Sequence, residues 1–106
     1  MYKLKPMNLT NEFDPIIEWA NERELLNKAT MDSQFIKLQE EIGELAISLL
    51  KKDNQLFKDS IGDCVVVLTI LAKLGNVNIE ECINLAYAEI KNRKGKMING
   101  TFIKEQ

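Results

Sequence analysis

The stretch "QFIKLQEEIGELAISLLKKDNQLFKDSIGDCVVVLTILAKLG", residues 34–75, decides the fold. In its first half, Phe35, Leu38, Ile42, Leu45 and Leu49 recur at alternating steps of three and four. That spacing is the seam of a helix that packs on other helices. The second half is apolar nearly all round from Ile61 to Ala72, so its helix is central or lies at a subunit interface. "KKDN" ends the first of these helices, and Asp53 or Asn54 can cap the next. Asp63 is out of place in such a run. An unpaired buried carboxylate costs several kcal/mol or takes up a proton. The nearest basic residue on its helix, Lys58, lies five residues back.

Outward from this pair, Asp14-Pro15 is a helix start, with Asp14 as cap and Pro15 at the first helical position. That helix is expected over about 15–28, with Ile16, Ile17, Ala20 and Leu25 near one side and Trp19 beside them. Thr30 or Asp32 can cap a second helix over 32–51. The third runs 54–74 with Gly75 behind it. Asn78 and Glu81 resemble a capping box for a fourth over 79–94, before Gly95. Asn99-Gly100 is the favoured pair for a type I′ turn, so 96–104 reads as a β-hairpin. The expectation is an all-α, four-helix bundle-like fold with a short C-terminal hairpin, as a single domain over 1–106.

Composition narrows the chemistry. A chain of 106 residues with formal net charge -2 supports one modest core and carries no nucleic-acid footprint. Nothing approaches a twenty-residue uncharged span, and "MYKLKPMNLTNEF" lacks the apolar core of a signal peptide. A cytoplasmic protein without nucleic-acid or membrane partners is therefore expected. Cys64 and Cys82 fit no metal or redox spacing and read as small core residues in a reducing compartment. There is no histidine, which removes the usual general base, the Ser-His and Cys-His pairs and most zinc sites. Catalysis must use carboxylates, lysines, hydroxyls or a hard metal ion.

Glu40, Glu41 and Glu44 share one flank of the second helix, at the edge of its apolar seam. Taken alone, they read first as a solvated acidic face with a Lys37–Glu41 ion pair. Asp63 tilts the balance, because a divalent cation shared with Glu41 and Glu44 would supply its missing partner. Asp59, one turn earlier, points the same way. An all-oxygen donor set suits magnesium. Gly43 and Gly62, inside helices and beside these acids, are read as marks of close helix crossing.

"EEIGE" followed by "DSIGD" resembles the EExxE…ExxD signature of the MazG-like all-α nucleoside triphosphate pyrophosphohydrolases. A Trp-bearing first helix, "QFIKLQEEIGELA", "KDSIGDCVVVLTILA" and "EIKNRKGKM" are similar too, especially to short phage and prophage members. The resemblance implies magnesium-dependent cleavage of a (d)NTP between its α and β phosphates, giving the monophosphate and pyrophosphate. Manganese is an alternative cation. It implies Glu41, Glu44 and Asp63 as metal ligands, with Asp59 as a further one, and Glu40 to orient or deprotonate the attacking water. It points to Trp19, Gln34, Lys37 and Asn92 for the base and sugar. Lys91, Arg93, Lys94 and Lys96 are suited to the phosphates, or else only complement a helix C-terminus. It also implies a homodimer or homotetramer. Ser60 stands where the signature has its second-helix glutamate, which keeps open a catalytically weak nucleotide- or metal-binding protein of the same fold.

Overall fold

The computed structural model describes residues 12–105. The expectation for the opening residues, and the outermost ends of the single domain, lie outside that span. The described chain runs α1 (Asp14–Glu22), α2 (Leu25–Lys28), α3 (Met31–Lys51), α4 (Asn54–Leu74), α5 (Ile79–Ile90), β1 (Gly95–Ile98) and β2 (Thr101–Lys104). It is an all-α fold with a two-stranded C-terminal hairpin.

Local chemistry explains the boundaries. Thr30 caps α3 through a reciprocal capping box: its hydroxyl accepts from the Ser33 amide at 3.0 Å and the Ser33 hydroxyl accepts from the Thr30 amide at 3.2 Å. Asp53 caps α4 by accepting from the Leu56 amide at 3.0 Å. Only Lys52, left-handed at φ 54, and Asp53 separate α3 from α4, so the two 21-residue helices fold back as an antiparallel pair. Asn99 and Gly100 both take positive φ, 50 and 79, as a type I′ turn requires.

Three boundaries differ from expectation. The first helix breaks at Arg23–Glu24, with Glu24 at φ 62, so that α2 is a separate turn of helix. Asp14 sits in the first turn of α1 and Phe13 takes the cap position. The last helix stops at Ile90, and residues 91–94 form a turn into β1. Gly95 belongs to β1, where a Cβ would come within 3.0 Å of the β2 backbone, so its missing side chain serves the hairpin. Asn78 heads α5, but its side chain bonds Glu81 Oε1 at 3.2 Å and not the backbone.

The core is small. Ala20, Leu38, Val67 and Ile70 are its buried apolar residues, joined by Ser48, Ser60 and Thr69. Ser48 and Thr69 spend their hydroxyls on the Leu45 and Val65 carbonyls, at 2.6 and 2.7 Å. The expected seam of α3 divides. Leu38 and Leu45 turn inward, while Phe35, Ile42 and Leu49, seven apart, stay exposed. On α4, Phe57, Ile61, Val65 and Leu68 form a second exposed stripe. The two cysteines are free, Cys64 half-buried and Cys82 exposed, so Cys82 is not the core residue expected. Among the described residues, no single helix is long and apolar enough to cross a membrane.

Candidate functional site

On α4, Ser60, Asp63, Val67 and Ile70 lie on one stripe at helical spacing, and that stripe faces inward. Ser60, Val67 and Ile70 are buried, whereas Asp63 is exposed. The sequence expectation of a buried Asp63 is thus corrected: the seam between α3 and α4 opens at this point into a cavity of about 500 Å³. Its floor is Val66, Val67 and Ile70. Gln34, Lys37, Glu40 and Glu41 of α3 form one wall, and Trp19 of α1 and Leu25 of α2 form another.

Glu41 and Asp63 meet here from neighbouring helices. Desolvation at the cavity wall is the larger cause raising the Asp63 pKa above the usual aspartate value. The neighbouring Glu41 carboxylate raises it further, and Lys37 opposes both weakly. Lys37 Nζ lies 3.3 Å from Glu41 Oε1 and 3.4 Å from Glu40 Oε2. Those contacts, Glu41 first, raise the lysine pKa in turn. Burial, with the charges of Glu41 and Asp63, also pushes up the Cys64 thiol, which keeps it protonated and unreactive.

The remaining expected residues lie elsewhere. Glu44 and Asp59 are exposed and outside the cavity lining. Ser60, at the signature's glutamate position, is only 1% exposed. Among the described residues, no three acidic, cysteine or histidine side chains gather closely enough to hold an ion. Two carboxylates on one cavity still fit magnesium, which commonly takes one or two protein carboxylates and fills its shell with water and phosphate. The glycine reading is corrected: a Cβ on Gly43 or Gly62 would meet nothing within 4 Å, so no helix crosses closely there.

Lys91 follows the end of α5, and Arg93 pairs with Glu89 at 3.5 Å. Lys94 and Lys96 flank a separate cleft on the hairpin with Lys104, while Asn92 sits in the intervening turn. Among the described elements α5 packs on α4 alone and the hairpin packs on no helix, so within one chain this basic segment stays away from α3.

Two site residues escaped the sequence reading. The Arg23 guanidinium stands 4.7 Å from the Trp19 ring centroid, a cation–π contact at the cavity mouth. Its signal was the four-residue spacing on one helix. Ser33 lines the cavity while serving the α3 cap, and the capping box was its signal.

A 63-residue segment is 48% identical to an uncharacterized 18.2 kDa protein from the rep-hol intergenic region of Haemophilus phage HP1 (strain HP1c1). That match covers 59% of this chain and 39% of the phage protein, so the chain spans about two fifths of its relative. No solved structure matches the chain. The model of the MazG nucleotide pyrophosphohydrolase domain matches residues 29–98, from the α3 cap to the end of β1 and through both acidic segments. By that match over most of its length, the chain belongs to the MazG nucleotide pyrophosphohydrolase domain family.

Proposed function

We propose that the protein is a magnesium-dependent pyrophosphohydrolase that cleaves a (d)NTP between the α and β phosphates, releasing the monophosphate and pyrophosphate. The observation that carries this reading is the meeting of Glu41 and Asp63 in one cavity with Trp19, Gln34, Lys37 and Glu40. Glu41 and Asp63 would hold the cation, with Glu44 and Asp59 as outer acids. Bound magnesium, or manganese in its place, neutralises phosphate charge and favours departure of pyrophosphate.

The chain's own side chains do the rest. Glu40, exposed at the rim, orients a water and accepts its proton as the oxygen attacks phosphorus. Lys37 offers a mobile positive charge to the phosphates. Trp19 presents an aromatic face to the base, and Gln34 offers an amide to base or sugar. The apolar floor excludes water from behind the substrate.

The basic residues Lys91, Arg93, Lys94 and Lys96, together with Asn92, reach the phosphates from a second copy of the chain. Two features support this: they lie away from α3 within one chain, and the apolar stripes on α3 and α4 are uncovered. A homodimer, or a homotetramer built from it, would cover those stripes. Sedimentation tests it, with a monomer at micromolar concentration as the opposing result. The free cysteines suit action in the cytoplasm, where nucleoside triphosphates are found.

A second reading, a nucleotide- and metal-binding protein with little turnover, is favoured by the buried Ser60 in place of a carboxylate. One experiment separates them. Purified protein with magnesium and a panel of (d)NTPs is assayed by chromatography for monophosphate and pyrophosphate. Cleavage that Asp63→Asn and Glu41→Gln abolish supports the enzyme. Binding without cleavage supports the second reading, and cleavage undiminished in Asp63→Asn refutes the proposed site.

A further inference from the structure

We propose that Lys37 is the resident counter-ion of the site: it holds the cation's place beside Glu41 while the site is metal-free, and an arriving divalent cation drives it off toward the phosphate chain. This rests on Glu41 and Asp63 being the cation's ligands.

Three observations carry it. Lys37 Nζ bridges Glu41 Oε1 at 3.3 Å and Glu40 Oε2 at 3.4 Å, so an ammonium already sits against an oxygen that the cation needs. Among the described residues it is the basic group paired with Glu41. The partners also differ in freedom. The Glu41 side chain is 13% exposed and fixed in the wall, whereas Lys37 is 51% exposed and reaches in from solvent on a flexible stem. When an ammonium and a dication compete for one carboxylate, the flexible, exposed charge is the one to move. Glu40, at the rim, stays within its reach and keeps the freed ammonium at the cavity mouth, where Gln34 and Trp19 also stand.

The exchange couples two binding events. Cation binding releases a positive charge for the phosphates, and phosphates that engage Lys37 vacate Glu41 for the cation. The coupling is reciprocal by linkage. Without Lys37 the site would bind its cation more tightly and respond less to nucleotide.

The test is Mn2+ binding to the full chain, followed by the electron paramagnetic resonance of free Mn2+, with and without a nonhydrolysable triphosphate analogue. Lys37→Met keeps the stem and removes the charge. Lys51→Met is the control, at the far end of α3, ten residues and about 15 Å beyond Glu41. Without analogue, Lys37→Met binds Mn2+ about three- to ten-fold tighter than the parent, as expected for the loss of one exposed and one half-buried ion pair, and Lys51→Met is unchanged. The ratio of Mn2+ Kd values without and with analogue falls toward one in Lys37→Met. Unchanged or weaker Mn2+ binding in Lys37→Met, with binding lost in Glu41→Gln, overturns the counter-ion role and leaves the metal ligands standing. Equal tightening in Lys51→Met overturns it as well, by reducing it to a general charge effect. Mn2+ binding that survives in both Glu41→Gln and Asp63→Asn overturns the ligand assignment itself, and the exchange with it.

Discussion

Glu41 of α3 and Asp63 of α4 line one cavity from neighbouring helices, and the Glu41 charge adds to desolvation in raising the Asp63 pKa. A cation held between them would relieve that repulsion, so folding and metal binding draw on the same pair.

The first prediction concerns pH in the absence of metal. The Asp63 pKa is raised in the folded state, so the native protein binds more protons than the unfolded chain between the unfolded and folded values. Stability from this group therefore falls as pH rises from about 4, its unfolded value, through the folded one. Asp63→Asn removes that loss. Thermal midpoints measured from pH 3.5 to 7 should show the variant gaining on the parent as pH rises, to an advantage of roughly 1–4 °C in Tm at neutral pH. Magnesium should reverse the order by binding the parent alone. Parallel pH profiles would count against the raised Asp63 pKa.

Trp19 is the chain's only tryptophan, 44% exposed at the cavity mouth beneath Arg23. A base stacking on it should quench the intrinsic fluorescence, with a midpoint equal to the calorimetric Kd. Trp19→Ala should weaken nucleotide binding roughly 5- to 100-fold, the range for loss of one stacked base. Emission that ignores saturating nucleotide would move the base elsewhere.

Gly43 and Gly62 lie inside helices with open space where a Cβ would go. Alanine at either should stabilise the protein by about 0.5–1 kcal/mol, through helix propensity and a less flexible unfolded chain. Denaturant unfolding measures this directly. A loss in place of the gain would mean that another backbone packs against that position in the assembled protein.

Ser60 tests the departure from the family signature. It is three residues before Asp63 on the inward stripe and almost wholly buried. Ser60→Glu inserts a larger, charged side chain there and should cost roughly 3 kcal/mol without metal. Titrated magnesium should recover part of that loss in thermal melts, because the added carboxylate stands one turn from Asp63. A variant as stable as its parent and insensitive to magnesium would show that this position faces neither core nor cation.

What could be read in advance followed local rules. The apolar run of α4, the Asp53 cap and the Asn99-Gly100 turn each have a short-range cause, and the chain obeys it. The break at Glu24 had no such signal: neither glycine nor proline marks it, and a glutamate in the left-handed region carries a steric cost that only tertiary packing offsets. The helical pattern of "KNRK" ran on past Ile90, but the approach to the hairpin ended it. At the site, helical spacing and the family resemblance pointed to Glu41 and Asp63. They did not show that Asp63 would open to a cavity or that Ser60 would be sealed from it, because that depends on where α1 and α2 rest against α4. The glycines misled for a related reason. A glycine inside a helix and beside a charge suggests close contact, yet among the described residues the space around both is open.

The hairpin, which touches none of the described helices, has a consequence for how the molecule comes apart. Its strands, exposed along both faces, draw no cooperativity from the helical pair. In a lone chain their amides would exchange with deuterium within moments, long before those buried midway along α4. Slow exchange in β1 and β2 would then report the arrival of another molecule, residue by residue.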